Sequence, residues 1–273
     1  MIMLDSARLL RPLAVLVLAA GLAGCAGTPK NDQMPDEPAD SLYNQGVNAL
    51  QQGQLTDAAK FFEEVEKQHP YSTLAPQAEI MDAYVYYRGN KYDDAINAID
   101  HFIDLHPGNK NTPYAYYLKA LCYYEQIQDV RRDQKMTEDA LDALTEVVNR
   151  YPNTAYGRDA SLKLDLTRDH LAGKEMDIGR YYENQQLYLA AINRFRRVIE
   201  TYQTTTHTPE ALLRLTECYM ALGVNDEAQT AAAVLGYNYP GTHWYEAAYA
   251  DLQGKHLEPK KKPGSWLSRM FTF

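Results

Sequence analysis

The stretch TDAAKFFEEVEKQHP, residues 56–70, decides the fold, because the chain returns to its pattern four more times. YDDAINAIDHFIDLHP (92–107), TEDALDALTEVVNRYP (137–152) and NDEAQTAAAVLGYNYP (225–240) close on a proline in the same way. In each block an alanine stands twelve residues before that proline: Ala58, Ala95, Ala140 and Ala228. YLAAINRFRRVIETYQ (188–203) carries Ala191 at this place but ends on Gln203. Within the blocks apolar residues recur at helical spacing, and proline stops each helix. Beyond residue 40 there is little strand signal.

A second, matching helix precedes each block. Gly46, Ala83 and Gly179 lie twelve residues before Ala58, Ala95 and Ala191, and small residues there let two helices approach closely. Spacing, residue type and order together resemble the tetratricopeptide repeat. The resemblance implies an all-α solenoid of five helix pairs. The alanines are 37 apart at each end of the array, but 45 separate Ala95 from Ala140 and 51 separate Ala140 from Ala191. The first excess falls on QDVRRDQKMT (128–137), which reads as an inserted polar loop with Arg131, Arg132 and Lys135. The second falls on GRDASLKLDLTRDHLAGKEMDIGRYYE (157–183), which reads as one long helix with Gly173 as its weak point. Three repeats, residues 41–158, thus form one half; the long helix and two repeats, 159–257, form the other.

The N-terminus sets the compartment. Arg8 and Arg11 precede the apolar run Leu13–Ala23, which is too short to span a bilayer but suits a secretory signal. It closes on Leu22-Ala23-Gly24-Cys25, which resembles the bacterial lipobox. That resemblance implies removal of residues 1–24, lipidation of Cys25 and, because Ala26 follows, sorting to the periplasmic face of the outer membrane. Residues 25–40, with Pro29, Pro35 and Pro38 and almost nothing apolar, read as a flexible tether.

Chemistry is sparse. A formal charge of −9 and a pI near 5.3 argue against nucleic acid, since no basic stripe could track phosphates. Cys122 and Cys218 occupy equivalent positions two repeats apart, beyond the roughly 7 Å Cα limit for a bridge, and read as buried thiols. His69 and His106 directly precede repeat-ending prolines, where a helix C-terminus favours positive charge. No metal-spaced cysteine set, HExxH, GxSxG or phosphate loop occurs, so no enzyme, metal or cofactor is expected.

The first helices of stacked pairs line a concave face. In this register the groove carries Tyr43, Val47 and Leu50, then Ile80, Tyr84, Tyr87 and Arg88, then Tyr114, Tyr117, Leu121 and Tyr124. Met176, Arg180, Glu183, Leu213, Glu217 and Met220 follow in the C-terminal half. The aromatics gather in the N-terminal half, where stiff rings with hydrogen-bonding tips suit an extended peptide bearing aromatic side chains. Arg194, Arg196 and Arg197 form a charged convex patch suited to a carboxylate-bearing partner.

Lipobox, tether, five repeats and long helix together resemble the BamD family of outer-membrane β-barrel assembly lipoproteins. HPYSTLAPQAEIMDAYVYY (69–87) and AINRFRRVIETY (191–202) carry the same likeness. The resemblance implies a non-enzymatic scaffold. Its C-terminal repeats would bind a POTRA domain of the barrel-inserting outer-membrane protein, with Arg194 at the partner-contacting position. Its N-terminal groove would receive unfolded outer-membrane protein substrates through their aromatic-rich C-terminal signals. Departures are a shorter insertion near residue 130, which bears on docking of other assembly-complex lipoproteins, Gln203, and the tail KKKPGSWLSRMFTF (260–273). A secretin pilotin or a glycan-binding lipoprotein is the alternative. For the tail, residues 258–273, partner docking is expected first and packing on the last helix second. Mimicry of a barrel signal in the chain's own groove comes third. Trp266, Leu267, Met270 and Phe271 are expected on one face of a short helix.

Overall fold

A computed structural model of the chain describes residues 34–271, so the signal segment and Cys25 lie outside the described residues. These residues form twelve helices and no strands, and all the helices fall in the compact unit that begins at Pro38. In chain order they are α1 (Ala39–Gln51), α2 (Leu55–Gln68), α3 (Ala75–Arg88), α4 (Tyr92–Leu105), α5 (Thr112–Tyr124) and α6 (Lys135–Arg150). There follow α7 (Ala155–Asn184), α8 (Tyr188–Thr201), α9 (Thr208–Ala221), α10 (Asn225–Asn238), α11 (His243–Gln253) and α12 (Trp266–Met270). From α1 to α10 each helix packs chiefly on its neighbours in sequence, the antiparallel stacking of a repeat solenoid, whereas α11 packs more on α9 than on α10 and α12 packs on α10.

The repeat pattern works through a few fixed contacts. The marker alanines Ala58, Ala95, Ala140, Ala191 and Ala228 are all fully buried. Four residues further on, Phe62 and Phe195 press their rings against Gly46 and Gly179. A Cβ on Gly46 would lie 2.8 Å from the Phe62 ring, and one on Gly179 only 2.4 Å from that of Phe195. Five residues before the marker alanine, the chain turns between helices through a left-handed residue: Gly53 (φ 76°), Asn90 (57°), Gln186 (61°) and Gly223 (73°). The third pair lacks this turn because the insertion, residues 125–134, replaces it. There Gln134 Nε2 donates to the carbonyls of Asp129, Val130 and Arg132, holding the loop in a compact form.

Helix ends are equally regular. His69, His106, Tyr151, Tyr202 and Tyr239 are the C-caps of α2, α4, α6, α8 and α10, with φ between −125° and −133°. A following proline disfavours helical geometry at this position. Tyr202 adopts the same conformation before Gln203, so the turn survives loss of the proline. At His106 the ring also pairs with Glu79 of α3 at 3.1 Å.

The long helix runs unbroken for 30 residues and serves two cores. Its first half places Ala160 and Leu164 with Ala120, Leu144 and Val147. Its second half places Leu171, Ala172 and Met176 with Ala191, Phe195 and Val198. Gly173 is not a weak point. It is buried, and a Cβ there would meet His207 Nε2 at 3.2 Å and Val130 Cγ1 at 3.6 Å, so the glycine admits two loops against the helix. Asp169, one turn earlier, fastens the second loop by accepting from Thr206 N and Oγ1 at 2.8 and 2.7 Å.

The tail is part of the fold, packed on the C-terminal core as the second expectation has it. Leu267 is fully buried and Phe271 nearly so, whereas Met270 is 37% exposed. The expected shared face is therefore a Leu267–Phe271 face. The Trp266 indole donates to Tyr219 Oη at 3.1 Å and lies beneath Arg196, whose Cζ is 4.6 Å from the ring centroid. Ser265 caps α12 and donates to Glu227 at 2.6 Å, while Lys262 pairs with Asp226 and Glu227. Gln203 Nε2 donates to the Met270 carbonyl at 3.3 Å, so the residue that replaces proline secures the added segment. Residues up to Phe271 thus belong to the C-terminal core, not to the aromatic groove.

Candidate functional site: an aromatic groove and an arginine clamp

The groove residues come from the first helices α1, α3 and α5, joined by the start of α7. Tyr43, Ile80, Met81, Tyr114 and Tyr156 wall a recess of about 260 Å³, with Gln77, Lys110 and Asn111 as its polar lining. Tyr43 meets Phe62 edge-on at 5.6 Å, so the small-residue contact of the first repeat also fixes a groove ring. Tyr156 lies 5.5 Å from both Tyr114 and Tyr117.

Tyr84 and Tyr87 stack at 6.3 Å, and Arg88 reaches back over Tyr84 to donate to its hydroxyl at 3.1 Å. Tyr87 donates to Glu125 at 3.4 Å, and Tyr117 donates to Asp159. Tyr124 lies under the Lys163 ammonium at 5.4 Å. Burial, with the Glu125 charge, pushes the Tyr87 hydroxyl up to about 12; burial likewise raises Tyr114 and Tyr117. These hydroxyls remain neutral donors at any physiological pH.

Tyr43, Tyr84, Tyr87, Arg88, Tyr114, Tyr117 and Tyr124 therefore fall along adjoining first helices, half-buried or exposed. Tyr156 and Lys110 were not expected. A signal for Tyr156 exists in the sequence: an alanine stands eight residues after every repeat terminator, at Ala78, Ala115, Ala160, Ala211 and Ala248, and each is fully buried. That register makes the start of α7 a first helix and puts Tyr156 beside Tyr114. It also makes α11 a sixth first helix.

The C-terminal half behaves differently from its expected register. Met176 and Leu213 are buried in the core and line no groove. Glu183, Glu217 and Met220, with Tyr188, Arg214 and Asp251, line a polar cavity of about 620 Å³. Arg180 is held by Glu210 at 3.0 Å. Burial, opposed by Arg214 and reinforced by Glu217, pushes Glu183 up to about 7. Cys218, also raised by burial, sits 3.5 Å from Glu183, and Cys122 is pushed up to about 12; both thiols are buried and free.

The three arginines of α8 do not act as one patch. Arg194 Nη1 contacts Glu175 Oε2 at 3.1 Å and Arg197 Nη1 contacts Glu175 Oε1 at 3.2 Å. Glu175, on α7, is only 7% exposed. Arg196 points away, to Glu200 at 2.7 Å and the Trp266 ring. Arg131, Arg132, Lys135 and Lys174 share with Glu175 a recess of about 580 Å³ beside the clamp, and Lys174 donates to the Arg132 carbonyl at 3.3 Å. The inserted loop thus brings Arg131, Arg132 and Asp133, charges of both signs, beside Glu175.

A family model described as "YfiO: Outer membrane lipoprotein" matches residues 35–235. The chain belongs to the BamD family of outer-membrane protein assembly factors. It is similar to the outer membrane protein assembly factor BamD of Caulobacter vibrioides, with 51% identity over 253 residues, covering 92% of this chain and 83% of that one. The BamD of Rickettsia prowazekii is 47% identical, covering 86% and 94%. That of Neisseria meningitidis serogroup A is 34% identical, covering 84% and 91%. Among solved structures, a thermophilic TPR protein of Thermus thermophilus aligns with a TM-score of 0.38 at 20% identity, covering 78% of this chain and 98% of that one. BamD-family chains are non-enzymatic assembly scaffolds of the outer membrane. The tail, residues 258–273, lies outside the span of the family model, as does α11.

Proposed function

We propose that this BamD-family chain is a periplasmic scaffold, anchored through lipid on Cys25, that brings unfolded outer-membrane proteins to the barrel-inserting protein of the Bam complex. The N-terminal groove, from Tyr43 to Tyr124 with Tyr156, receives the substrate. The C-terminal repeats, with Arg194 and Arg197, receive the partner's POTRA domain. The inserted loop near residue 130 is a place where another lipoprotein of the complex would touch.

The observation that carries this reading is the pairing of two unlike surfaces on one solenoid. One is built of tyrosines, whose rings and hydroxyls bind apolar and hydrogen-bonding segments with little sequence demand. The other holds two half-exposed guanidiniums in fixed orientation, the geometry that suits carboxylate recognition. Arg196 contributes less to this surface, because Trp266 covers its face.

Charge reversal at Arg194 tests the partner half. Arg194→Glu combined with Glu175→Gln avoids setting two carboxylates against each other, so the repeats stay folded. Loss of co-purification of the barrel-inserting protein, with the helical spectrum unchanged, is expected. Undiminished co-purification counts against the reading.

A further inference from the structure

We propose that the cavity at the C-terminal ends of α7, α9 and α11 is a further binding site, which takes a single arginine or lysine side chain from an extended segment of a partner protein. None of the arginines of α8 lines it, so the site is separate from the clamp at Glu175. Its volume of about 620 Å³ lies in the range of ligand sites and leaves room for a long side chain. Glu183, Glu217 and Asp251 line it against Arg214 and Lys255, which leaves an excess of negative charge. In the register that gives Leu50, Tyr87 and Tyr124 to the N-terminal repeats, the fourth repeat carries Glu183. The helix ends add to the same sign. Asn184, Ala221 and Gly254 line the cavity at the C-terminal ends of three helices, whose last carbonyls carry partial negative charge, whereas α8 alone brings an N-terminus, at Tyr188.

Glu183 is the carboxylate that lacks a cation. Its side chain is 14% exposed, and its one ion pair among the described residues, to Arg214 Nε, spans 3.7 Å, too long for a hydrogen bond. Arg214 commits its Nη1 to Glu217 at 2.9 Å, and its buried Nε makes no hydrogen bond. Glu210, on the same helix as Arg214, is already held by Arg180 at 3.0 Å. What remains for Glu183 is the Cys218 thiol at 3.5 Å, a weak donor. Burial first, with Arg214 opposing and Glu217 adding, pushes Glu183 up to about 7, the behaviour of a carboxylate short of positive charge. A metal ion does not fit this deficit, because among the described residues no three ligating side chains converge. A free polyamine brings several charges and leaves the rim unused. Leu187 and Leu222, both exposed, directly adjoin the lining residues Tyr188 and Ala221, so a guanidinium or ammonium held inside would be flanked by apolar contacts outside.

The test uses the purified full chain and a labelled nine-residue peptide of alternating leucine and serine, acetylated and amidated, with arginine or its neutral isostere citrulline at the centre. Fluorescence anisotropy should show the arginine peptide bound about five- to tenfold more tightly than the citrulline peptide at pH 8. A bound cation holds Glu183 ionised, so the preference should shrink at pH 6, where the free carboxyl is largely protonated. Glu183→Gln, with its melting temperature recorded, should remove the preference at both pH values while the citrulline peptide binds as before. Equal binding of the two peptides, no binding of either, a preference unchanged between pH 6 and 8, or one that survives Glu183→Gln overturns the proposal. Binding of spermidine that depends on Glu183, without binding of the arginine peptide, assigns the cavity to a free amine and overturns it as well.

Discussion

Arg194 and Arg197 hold the two oxygens of a single carboxylate, that of Glu175, at 3.1 and 3.2 Å. Glu175 stands on the long helix and the arginines on α8, so this clamp ties the connector to the first C-terminal repeat. Breaking a buried pair leaves an uncompensated charge, but the half-exposed guanidiniums can recover water. Glu175→Ala should therefore destabilise the chain by about 1–2 kcal/mol, and Arg194→Ala by less, because Arg197 remains. Chemical denaturation of the single and double variants checks this. Additive losses from Arg194 and Glu175 would mean that the pair does not act as a unit.

The glycine–phenylalanine contacts give a graded prediction. A Cβ at Gly179 would come within 2.4 Å of the Phe195 ring, against 2.8 Å for Gly46 and Phe62. Overpacking costs about 1–3 kcal/mol, of which better helix propensity returns up to about 1. Gly179→Ala should lower the melting temperature more than Gly46→Ala. Phe195→Leu should partly restore the Gly179→Ala protein.

Asp82 supplies a pH dependence. Its carboxyl is largely buried on α3, and Oδ1 has no hydrogen-bond partner. Burial first, then the charges of Glu63 and Glu66, push it up from 3.8 to about 7. Because the folded value is raised, its contribution to stability is fully present below pH 4 and is lost as pH rises through 7. Asp82→Asn should leave the melting temperature little changed near pH 4 and raise it at pH 8. Equal shifts at both pH values would refute the assignment.

The tail should matter for stability and not for substrate. Trp266→Ala removes the indole bond to Tyr219 and the stacking on Arg196, together worth about 1–2 kcal/mol. Leu267→Ser opens the core itself. Both should lower the melting temperature yet leave peptide affinity at the N-terminal groove unchanged, which calorimetry and anisotropy can separate.

Much of this organisation was legible in sequence because it is periodic. Ala58, Ala95, Ala140, Ala191 and Ala228 mark the buried second-helix position, and all five behave alike. What periodicity cannot carry is the meeting of distant segments. Tyr156 joins the groove only because the long helix begins in first-helix register, a relationship spelled by Ala160 and its equivalents. Gly173 looks like a flaw in isolation; Val130 and His207 make it a point of close approach. Gln203 and the tail read as two separate departures, whereas the side chain of one bonds the backbone of the other. The three arginines of α8 are close in sequence, but one turn of helix sends Arg196 to the tail and its neighbours to Glu175.

The most direct measurement is site-specific photocrosslinking in living cells, with the photoreactive residue at Tyr114 in one strain and at Arg197 in another. The two-surface account predicts that Tyr114 captures nascent outer-membrane barrel chains and Arg197 captures the barrel-inserting protein, each without the other. Capture of the same protein from both positions, or failure of Arg197 to reach the barrel-inserting protein, would contradict it.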